Sequence, residues 1–397
     1  MTIDEVQSLE EEQEKKQSGQ FVKWIFKVLY SPMKTFEEIV EKPNVKGPIL
    51  ILLITLPIVL GGQYISGTKF FLENPAPEND LWTEKPSNST SFLWSSNDNI
   101  TFDNNDYIVG NFSVSSSLTN SSLIWMRLTD IGSFNCSEEE YSRLSFRIKW
   151  VNEANVTPTA ILQLFSLNNE SNRFELDVGP LVANSSDVWA NITVSPAIDG
   201  WMEVRGDSTS WANVTGIGFQ LMWPSSVNLT VKIDDLFFGK YVPISSLSTF
   251  GTQLAYSIMR SGFDFLLEWL ILSGIVLLAL KSFFDWKGFW KNLLSSVGYV
   301  YSASIVYLGA LVVLFLVLPP IFLPYNITYL EYLDIYQGSW GMPISVLTLL
   351  SYGWAIILCT IALKKLHELS WSKAFIIGFG AVVMSLLFSS ILLGVFL

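Results

Sequence analysis

Five apolar stretches of about twenty residues each limit what this chain can fold into. They lie at 47–66, 263–281, 295–323, 343–363 and 374–397. Helices of that length match the roughly 30 Å hydrocarbon core of a bilayer. The first stretch begins at residue 47, too far along the chain for a cleaved signal peptide, so we expect it to remain as an anchor. The sequence therefore predicts an α-helical polytopic membrane protein with five transmembrane helices and the lipid bilayer as a partner.

Composition excludes several classes of function. Half of the 397 residues are hydrophobic, only 15% are charged, and the formal net charge is −12. A nucleic-acid binder needs a basic face to neutralise phosphates, so we predict no nucleic-acid partner. One histidine and two cysteines leave few groups for metal or nucleophile chemistry, and we predict that the protein is not an enzyme.

The distribution of lysines predicts the orientation in the membrane. Segments rich in lysine and arginine stay in the cytoplasm, whereas the loop at 324–342 contains neither residue. The N-terminus is therefore expected inside, and residues 67–262 and the C-terminus outside. The lysines that carry this inference are Lys15, Lys16, Lys23, Lys27, Lys34, Lys42, Lys46, Lys281, Lys287, Lys291, Lys364, Lys365 and Lys373.

N-glycosylation acceptor patterns, Asn-X-Ser/Thr, agree with this orientation. All of them fall in the two segments that the lysines place outside; the alternative is a chance product of a loop rich in Asn, Ser and Thr. Asn155 is the doubtful member because Pro158 follows it. The acceptors are Asn88, Asn99, Asn111, Asn120, Asn135, Asn155, Asn169, Asn184, Asn191, Asn213, Asn228 and Asn326.

The segment before the first span has two parts. Residues 1–18 are highly charged and predict a disordered tail. Residues 19–46 predict cytoplasmic amphipathic helices, the first of which is expected to lie in the membrane interface on an apolar stripe. That stripe consists of Phe21, Trp24, Ile25, Val28 and Leu29.

Residues 67–262 predict an all-β sandwich. Apolar and polar residues alternate over short runs separated by clusters of Asn, Asp, Gly and Ser, which is typical of half-buried strands. The clearest alternations are Leu144, Phe146, Ile148 and Trp150, and then Leu229, Val231 and Ile233. Cys136 is the one cysteine of this segment and is expected to be free or paired between molecules, because Cys359 lies in a span.

The end of this segment, from TSWANVTGIGFQLMWP to VKIDDLFFGKYVP, resembles the final strands of galactose-binding-like jelly rolls, the fold of many carbohydrate-binding modules. The resemblance is specific from Trp211 to Tyr241. It implies a jelly roll that binds a glycan, although such sandwiches host many unrelated sites. It also implies a structural calcium at Asp234 and Asp235, since calcium requires several oxygen ligands; the alternative is that these are solvated carboxylates of a turn. Asp98, Asp103 and Asp106 could complete that site.

Exposed tryptophans stack on sugar rings, which makes the tryptophans of this segment candidate glycan-binding residues. At least half of them are expected in the core instead. They are Trp94, Trp125, Trp189, Trp201, Trp211 and Trp223. Carboxylate pairs such as Glu175 with Asp177, or Glu203 with Asp207, would suit glycoside hydrolysis, but nothing distinguishes either pair from chance in so acidic a segment.

The rest of the chain resembles the Yip-one domain family of five-span membrane proteins. The similarity is carried by SPMKTFEEI at 31–39, by the run from Glu268 to Ser304 with Gly298 and Tyr299, and by residues 352–383. Eukaryotic members act in vesicle trafficking and contact prenylated small GTPases. This chain lacks their Asp-Leu-Tyr-Gly-Pro motif, so GTPase binding is not implied. The large outer insertion is a second departure, and with its many acceptors it suits an archaeal-type surface membrane.

We therefore expect a Yip-one-type protein that acts in membrane organisation or in surface recognition, with the outer sandwich binding a glycan or a protein. The alternative is a membrane-embedded transporter or lipid-handling protein. Its candidate residues, Asp264 and Glu268, are expected within about two turns of the outer end of the second span. Glycines in the spans, Gly274, Gly298, Gly309, Gly378 and Gly380, are expected to permit close helix packing.

Overall fold

The computed structural model describes residues 19–86, 92–137, 140–153, 156–204, 209–284, 286, 288–325 and 327–395. The chain forms two compact units. The helical unit comprises the N-terminal segment to Phe71, Pro243–Ile321 and Ile327 onwards, and the β unit comprises Leu72–Val242 with Phe322–Asn326. The predicted tail at 1–18 lies outside the described residues.

The β unit is built from antiparallel strands that form one continuous sheet. A short helix, α4 (Gly179–Val182), lies between two of them. The strands are β1 (Phe70–Ala76), β2 (Leu93–Ser96), β3 (Ile100–Asp103), β4 (Ser113–Thr129), β5 (Arg143–Asn152), β6 (Thr159–Ser166), β7 (Asn169–Asp177), β8 (Ala190–Val194), β9 (Met202–Val204), β10 (Val214–Pro243) and β11 (Ile321–Leu323).

Two long strands, β4 and β10, divide this sheet into two layers. Residues 217–222 of β10 pair with 123–128 of β4 and with β6, whereas residues 229–233 pair with 114–118 of β4 and with β5. We call the first set, completed by β2, β7 and β9, layer 1. The second set, completed by β3 and β8, is layer 2. Asn120, with φ of 54°, lies where β4 passes from one layer to the other.

The inner faces of the two layers share one hydrophobic core. Phe146 of layer 2 contacts Phe219 of layer 1 with ring centroids 5.0 Å apart, and Trp150 similarly contacts Trp223 at 6.1 Å. The residues that alternate in the sequence of β5, from Leu144 to Trp150, are almost completely buried. The predicted sandwich is therefore confirmed as two packed layers, because each strand turns every second side chain inward.

The helical unit contains five helical segments in the described part of the chain that are long and apolar enough to cross a membrane. They are Lys46–Lys69, Phe250–Phe284, Trp290–Val317, Tyr329–His367 and Trp371–Ser389. The helices are α1 (19–30), α2 (Pro32–Glu41), α3 (Lys46–Lys69), α5 (Phe250–Phe284), α6 (Trp290–Val300), α7 (Ser302–Val317), α8 (Tyr329–Tyr336), α9 (Met342–His367) and α10 (Trp371–Val395).

Two helices differ in extent from the apolar stretches that predicted them. The helix that contains the stretch at 263–281, α5, begins at Phe250 and so includes a polar and amphipathic segment that the hydropathy pattern assigned to the outer domain. The helix at the third stretch, α7, ends at Val317, before Pro319 and Pro320, and residues 321–323 form a strand.

The apolar stripe of α1 does not lie free on a membrane surface. Trp24, Ile25 and Val28 are at most 3% exposed and belong to the core of the helical unit. The Trp24 ring meets the Tyr299 ring edge-on at 6.1 Å, and its Nε1 donates to Glu38 at 2.8 Å. An amphipathic pattern shows only that one face avoids water, so it cannot distinguish lipid from protein as the partner of that face.

Candidate functional site

A row of cross-strand neighbours crosses the outer face of layer 1. Arg127 pairs with Gly218, Gly218 with Gln163, Gln163 with Glu175, and Glu175 with Met202. The sequence neighbours of Arg127, Met126 and Leu128, are at most 1% exposed and face the core, so Arg127 itself points outward. The row therefore brings residues from five strands, and side chains from four of them, onto one face of the layer.

The floor of this surface is formed at two glycines of β10. A Cβ added to Gly216 or to Gly218 would fall 2.9 Å from the Phe165 ring, and one on Gly218 also 2.9 Å from Gln163 Oε1. Phe165 and Gln163 therefore lie over backbone that carries no side chain. Glycine is required here because any larger residue would lift these two side chains off the sheet.

Polar side chains on this floor form a hydrogen-bonded network. Gln163 Nε2 donates to Glu175 Oε1 at 2.9 Å, and Arg173 Nε donates to the same oxygen at 2.7 Å. Arg127 forms an ion pair with Glu170. The Nε atom of Arg127 is buried and has no hydrogen-bond partner among the described residues. The network therefore holds charged, planar groups in fixed positions on an outward face.

Trp125 lies beside this network. It pairs with Gln220 across the sheet and is half-buried, while its neighbours Ile124 and Met126 are in the core. The guanidinium carbon of Arg127 lies 4.5 Å from the centre of the Trp125 ring. A cation–π contact of this kind holds the indole and the guanidinium together on the surface.

The other five candidate tryptophans do not join Trp125 in one platform. Trp94 and Trp223 are 8% and 3% exposed and face the core, where their Nε1 atoms donate to main-chain oxygens; their assignment as stacking residues is wrong. Trp211 is stacked on Phe174 at 3.7 Å and packs with Trp201 against the core. Trp189 donates to Asp106 on the layer 2 side. Spacing alone did not reveal which indoles share a face, because they come from separate strands and loops.

The two aspartates predicted to hold calcium have different surroundings. Asp234 is completely buried, and its Oδ2 accepts hydrogen bonds from the amides of Ile108 at 2.5 Å and Val109 at 3.2 Å. Asp235 instead forms an ion pair with Arg147 at 3.2 Å. Burial raises the pKa of the Asp235 carboxyl, although Arg147 opposes that shift. Asp234 and Asp235 therefore contact different groups, main-chain amides in one case and an arginine in the other.

A carboxylate that the sequence did not suggest lies next to Asp234. Asp80 is 7% exposed, and the Thr83 hydroxyl contacts both Asp80 and Asp234. Burial, with the nearby Asp234 carboxylate, raises the pKa of Asp80 to about 9. Its Oδ2 is buried without a hydrogen-bond partner among the described residues. Asp80 escaped the sequence analysis because it precedes the segment that resembles a known fold.

The carboxylates predicted to complete the calcium site are directed elsewhere. Lys232 Nζ donates to Asp103 at 2.6 Å and to Asp106 at 2.7 Å, and Lys149 contacts Asp106 at 3.3 Å. Burial alone would raise the pKa of Asp106, but hydrogen bonds from Lys232, Trp189 and Lys149 lower it to about 2. Asp98 is exposed in a turn. The assignment of these residues to a calcium site is corrected, because lysines already neutralise Asp103 and Asp106.

The surroundings of Asp80 fit a cation in part. A Cβ on Gly110, which has φ of +69°, would fall 2.0 Å from Glu84 Oε1 and 3.3 Å from Asp80 Oδ2. The unpartnered Asp80 oxygen therefore lies close to a second carboxylate. No group of three or more His, Cys, Asp or Glu side chains in the described ranges is arranged to hold a metal ion. A calcium ion there would need main-chain oxygens as further ligands.

The glycosylation acceptors that the structure describes lie at the surface. Seven are exposed, namely Asn99, Asn111, Asn120, Asn169, Asn184, Asn191 and Asn228, and Asn135 and Asn213 are half-buried. Asn88, Asn155 and Asn326 fall outside the described residues. None of the described acceptors belongs to the row from Arg127 to Met202, whereas Asn191 occupies an outward position in layer 2.

Comparison with known proteins gives no family. No family model matches the sequence. No curated protein matches it either. Among solved structures, the family 11 carbohydrate-binding module of the cellulosomal cellulase Lic26A-Cel5E of Clostridium thermocellum is 12% identical over 42% of this chain and 95% of that chain, with a TM-score of 0.27.

Two further similar structures are as distant. The family 11 module from Clostridium thermocellum in complex with a β-1,3-1,4-mixed-linked tetrasaccharide is 12% identical over 41% of this chain and 94% of that chain, with a TM-score of 0.26. An exo-β-agarase is 13% identical over 41% of this chain and 25% of that chain, with a TM-score of 0.27. Likenesses this weak do not bear on function.

Proposed function

We propose that the outer face of layer 1 is a glycan-binding surface and that the protein is a non-enzymatic, membrane-anchored recognition protein. The observation that carries the proposal is the row from Arg127 to Met202 with Trp125 at its edge. It combines an aromatic ring and charged planar groups on one outward surface, where two glycines let Phe165 and Gln163 lie close to the sheet.

The chemistry of this surface matches that of a sugar. A pyranose ring has hydroxyls around its edge and a face of C–H groups. Carboxylate and guanidinium groups, such as those of Glu175 and Arg173, accept from and donate to vicinal hydroxyls. An indole such as that of Trp125 covers the C–H face. Exposed apolar side chains at the rim, Met202 and Met222, at 63% and 44% exposure, add contact area.

The helical unit supports the anchoring part of the proposal. Five helical segments in the described chain could span a bilayer, and the lysine distribution favours a cytoplasmic N-terminus with the β unit outside. We extend the proposal to a Yip-one type for this unit, supported by the motifs at 31–39, 268–304 and 352–383. The glycosylation of the exposed acceptors belongs to the same proposal.

A structural calcium at Asp80 and Asp234 is a second part of the proposal. Its support is the unpartnered, buried Oδ2 of Asp80 beside Asp234 and near Glu84. A bound calcium would supply positive charge to carboxylates that otherwise share a buried site. It would lie away from the row from Arg127 to Met202 and would stabilise the sandwich without contacting a glycan.

The test is binding of full-length protein, reconstituted in nanodiscs, to a panel of immobilised oligosaccharides. We expect at least one glycan to bind saturably and Trp125→Ala to weaken that binding at least tenfold, because the indole covers the sugar face. The matched control is Trp189→Ala, which removes an indole from the layer 2 side. Equal losses in both variants, or no glycan bound by the folded protein, would overturn the proposal and leave a protein ligand as the alternative.

A further inference from the structure

A cavity with polar groups in its wall lies inside the helical unit, and none of its lining residues belongs to layer 1. Its volume is about 350 Å³, and it is lined by residues of α3, α5, α7 and α9 together with Tyr301, which joins α6 to α7. Two acids, Asp264 and Glu268, and the rings of Tyr301, Tyr307 and Tyr352 form much of the wall. A smaller cavity of about 80 Å³ shares Glu268 and extends to Ser385 of α10.

Asp264 and Glu268 both lie in the middle part of α5 and not near either of its ends. Glu268 is 18 residues after Phe250 and 16 residues before Phe284, the two ends of α5 (268 − 250 and 284 − 268). Its neighbours in the cavity wall, Tyr301 and Tyr352, lie well inside the spans Trp290–Val317 and Tyr329–His367. Because α5 begins at Phe250, Asp264 and Glu268 lie about four and five helical turns from its first residue.

One acid of this cavity has an oxygen without a partner. Asp264 Oδ1 is buried and has no hydrogen bond among the described residues. Ser385 is 5% exposed and lines the smaller cavity. The one cation within 4 Å of either acid in the described chain is Arg260, 3.7 Å from Asp264. Glu268 has no cationic partner there.

Ionisable groups inside a bilayer are costly unless they are paired, and they mark binding sites or ion pathways. Asp264 is paired with Arg260, whereas Glu268 has no cationic partner among the described residues, so a bound cation would stabilise the charged form of Glu268. Aromatic rings line the same wall, and their faces attract cations. Calcium or magnesium would instead require several oxygen ligands converging at about 2.0–2.6 Å. The volume is that of a small organic ligand.

We infer that this cavity binds a small organic ammonium ion, with Glu268 as its counter-ion, Asp264 as a second acidic contact and the tyrosine rings around its alkyl groups. The inference does not depend on glycan binding by the β unit. The ammonium group could belong to a free amine or to a lipid headgroup, since both present the same charge and alkyl surface.

The test is binding of radiolabelled choline to full-length protein in nanodiscs of phosphatidylglycerol. We expect saturable binding, with competition by 3,3-dimethyl-1-butanol, the uncharged isostere of choline, at least tenfold weaker than by choline itself. This comparison uses the wild-type protein and does not depend on the folding of a variant. Nanodiscs containing phosphatidylcholine distinguish the sources: reduced choline binding indicates a lipid headgroup, and unchanged binding indicates a free amine.

Two substitutions locate the site. Glu268→Gln keeps the shape of the side chain and removes its charge, and we expect it to weaken choline binding at least tenfold. Asp334→Asn, on an exposed residue of α8, is the matched control and should leave binding unchanged. The inference would be overturned if unlabelled choline and its isostere competed equally well. It would also be overturned if sodium or magnesium displaced the bound radiolabel but unlabelled choline did not, or if both variants lost binding equally.

Discussion

Gly298 of α6 lies directly against Pro48 of α3, so closely that a Cβ at position 298 would fall 2.3 Å from Pro48 Cγ. The adjacent Tyr299 hydroxyl lies against Gly47, where a Cβ would fall 2.0 Å from that oxygen. Each helix therefore contributes one glycine to the contact, and each glycine makes room for a side chain of the other helix. The prediction that the span glycines permit close helix packing is confirmed for Gly298 and for Gly378, which lies against Thr360, whereas no described atom lies within 4 Å of a Cβ at Gly274, Gly309 or Gly380.

Gly298→Ala should destabilise the helical unit by about 1–3 kcal/mol, because the added methyl group must displace Pro48 or Trp269. The measurement is thermal unfolding of the full-length protein in detergent. Gly309→Ala is the matched control, since no atom lies within 4 Å of a Cβ at that position. A midpoint for Gly298→Ala equal to that of the control would show that the two helices do not pack as described.

Asp80 should make the β unit less stable as the pH rises. Burial raises its pKa to about 9, whereas the unfolded chain releases the proton near pH 4. Between these values the folded state holds one proton more, so this contribution to stability is complete below about pH 4 and is lost as the pH rises through about 9. Asp80→Asn cannot titrate and should flatten the profile. Thermal midpoints from pH 5 to 9 test this, with exposed Asp130→Asn as the control.

Calcium should reverse that dependence if it binds at Asp80. The ion would displace the proton, so we expect the thermal midpoint of the β unit to rise with calcium concentration, and to rise more at pH 8 than at pH 5. Asp80→Asn should abolish most of the increase. If the thermal midpoint is the same in calcium and in chelator at both pH values, calcium does not bind at this cluster, and the carboxyl of Asp80 is protonated instead.

Lys232 should protect the β unit against acid. Its hydrogen bonds lower the pKa of Asp103, and with Trp189 and Lys149 they hold the pKa of Asp106 at about 2 against the effect of burial. The stability from these carboxylates is present above about pH 4 and is lost as the pH falls towards 2. Lys232→Met should lower the free energy of unfolding by about 1–3 kcal/mol at pH 7 and reduce its decline between pH 4 and 2.

Urea unfolding between pH 2 and pH 7 measures both effects of Lys232→Met. The control is Lys85→Met, on an exposed lysine of the β unit. The proposed role of Lys232 would be refuted by parallel pH profiles for the wild type and Lys232→Met.

Cys136 should be unreactive in the folded protein. It is 0% exposed, and burial raises the pKa of its thiol, so little thiolate forms. Of the two predicted alternatives, a free thiol or one paired between molecules, this burial favours the free thiol. A maleimide should modify Cys136 at least a hundredfold faster in denaturant than in the native state. A disulfide-linked dimer that Cys136→Ser removes would contradict this account.

The sequence alone determined those features that depend on local periodicity and composition. Five apolar stretches match bilayer thickness, and alternation from Leu144 to Trp150 identifies a strand with one buried face; neither depends on where the rest of the chain lies. The same local signals failed where polar residues continue an apolar helix, as between Phe250 and residue 263, or where an apolar stripe meets protein instead of lipid, as at Trp24.

Only the tertiary structure decided which residues share a surface or a cavity. Arg127, Gln163 and Glu175 are separated by up to 48 residues (175 − 127), and cross-strand register alone makes them neighbours. Asp80 and Asp234, or Glu268 and Tyr352, are likewise distant in sequence and adjacent in space. Sequence periodicity reports the environment of each residue along its own element, whereas a binding site depends on contacts between elements, which form only when those elements pack.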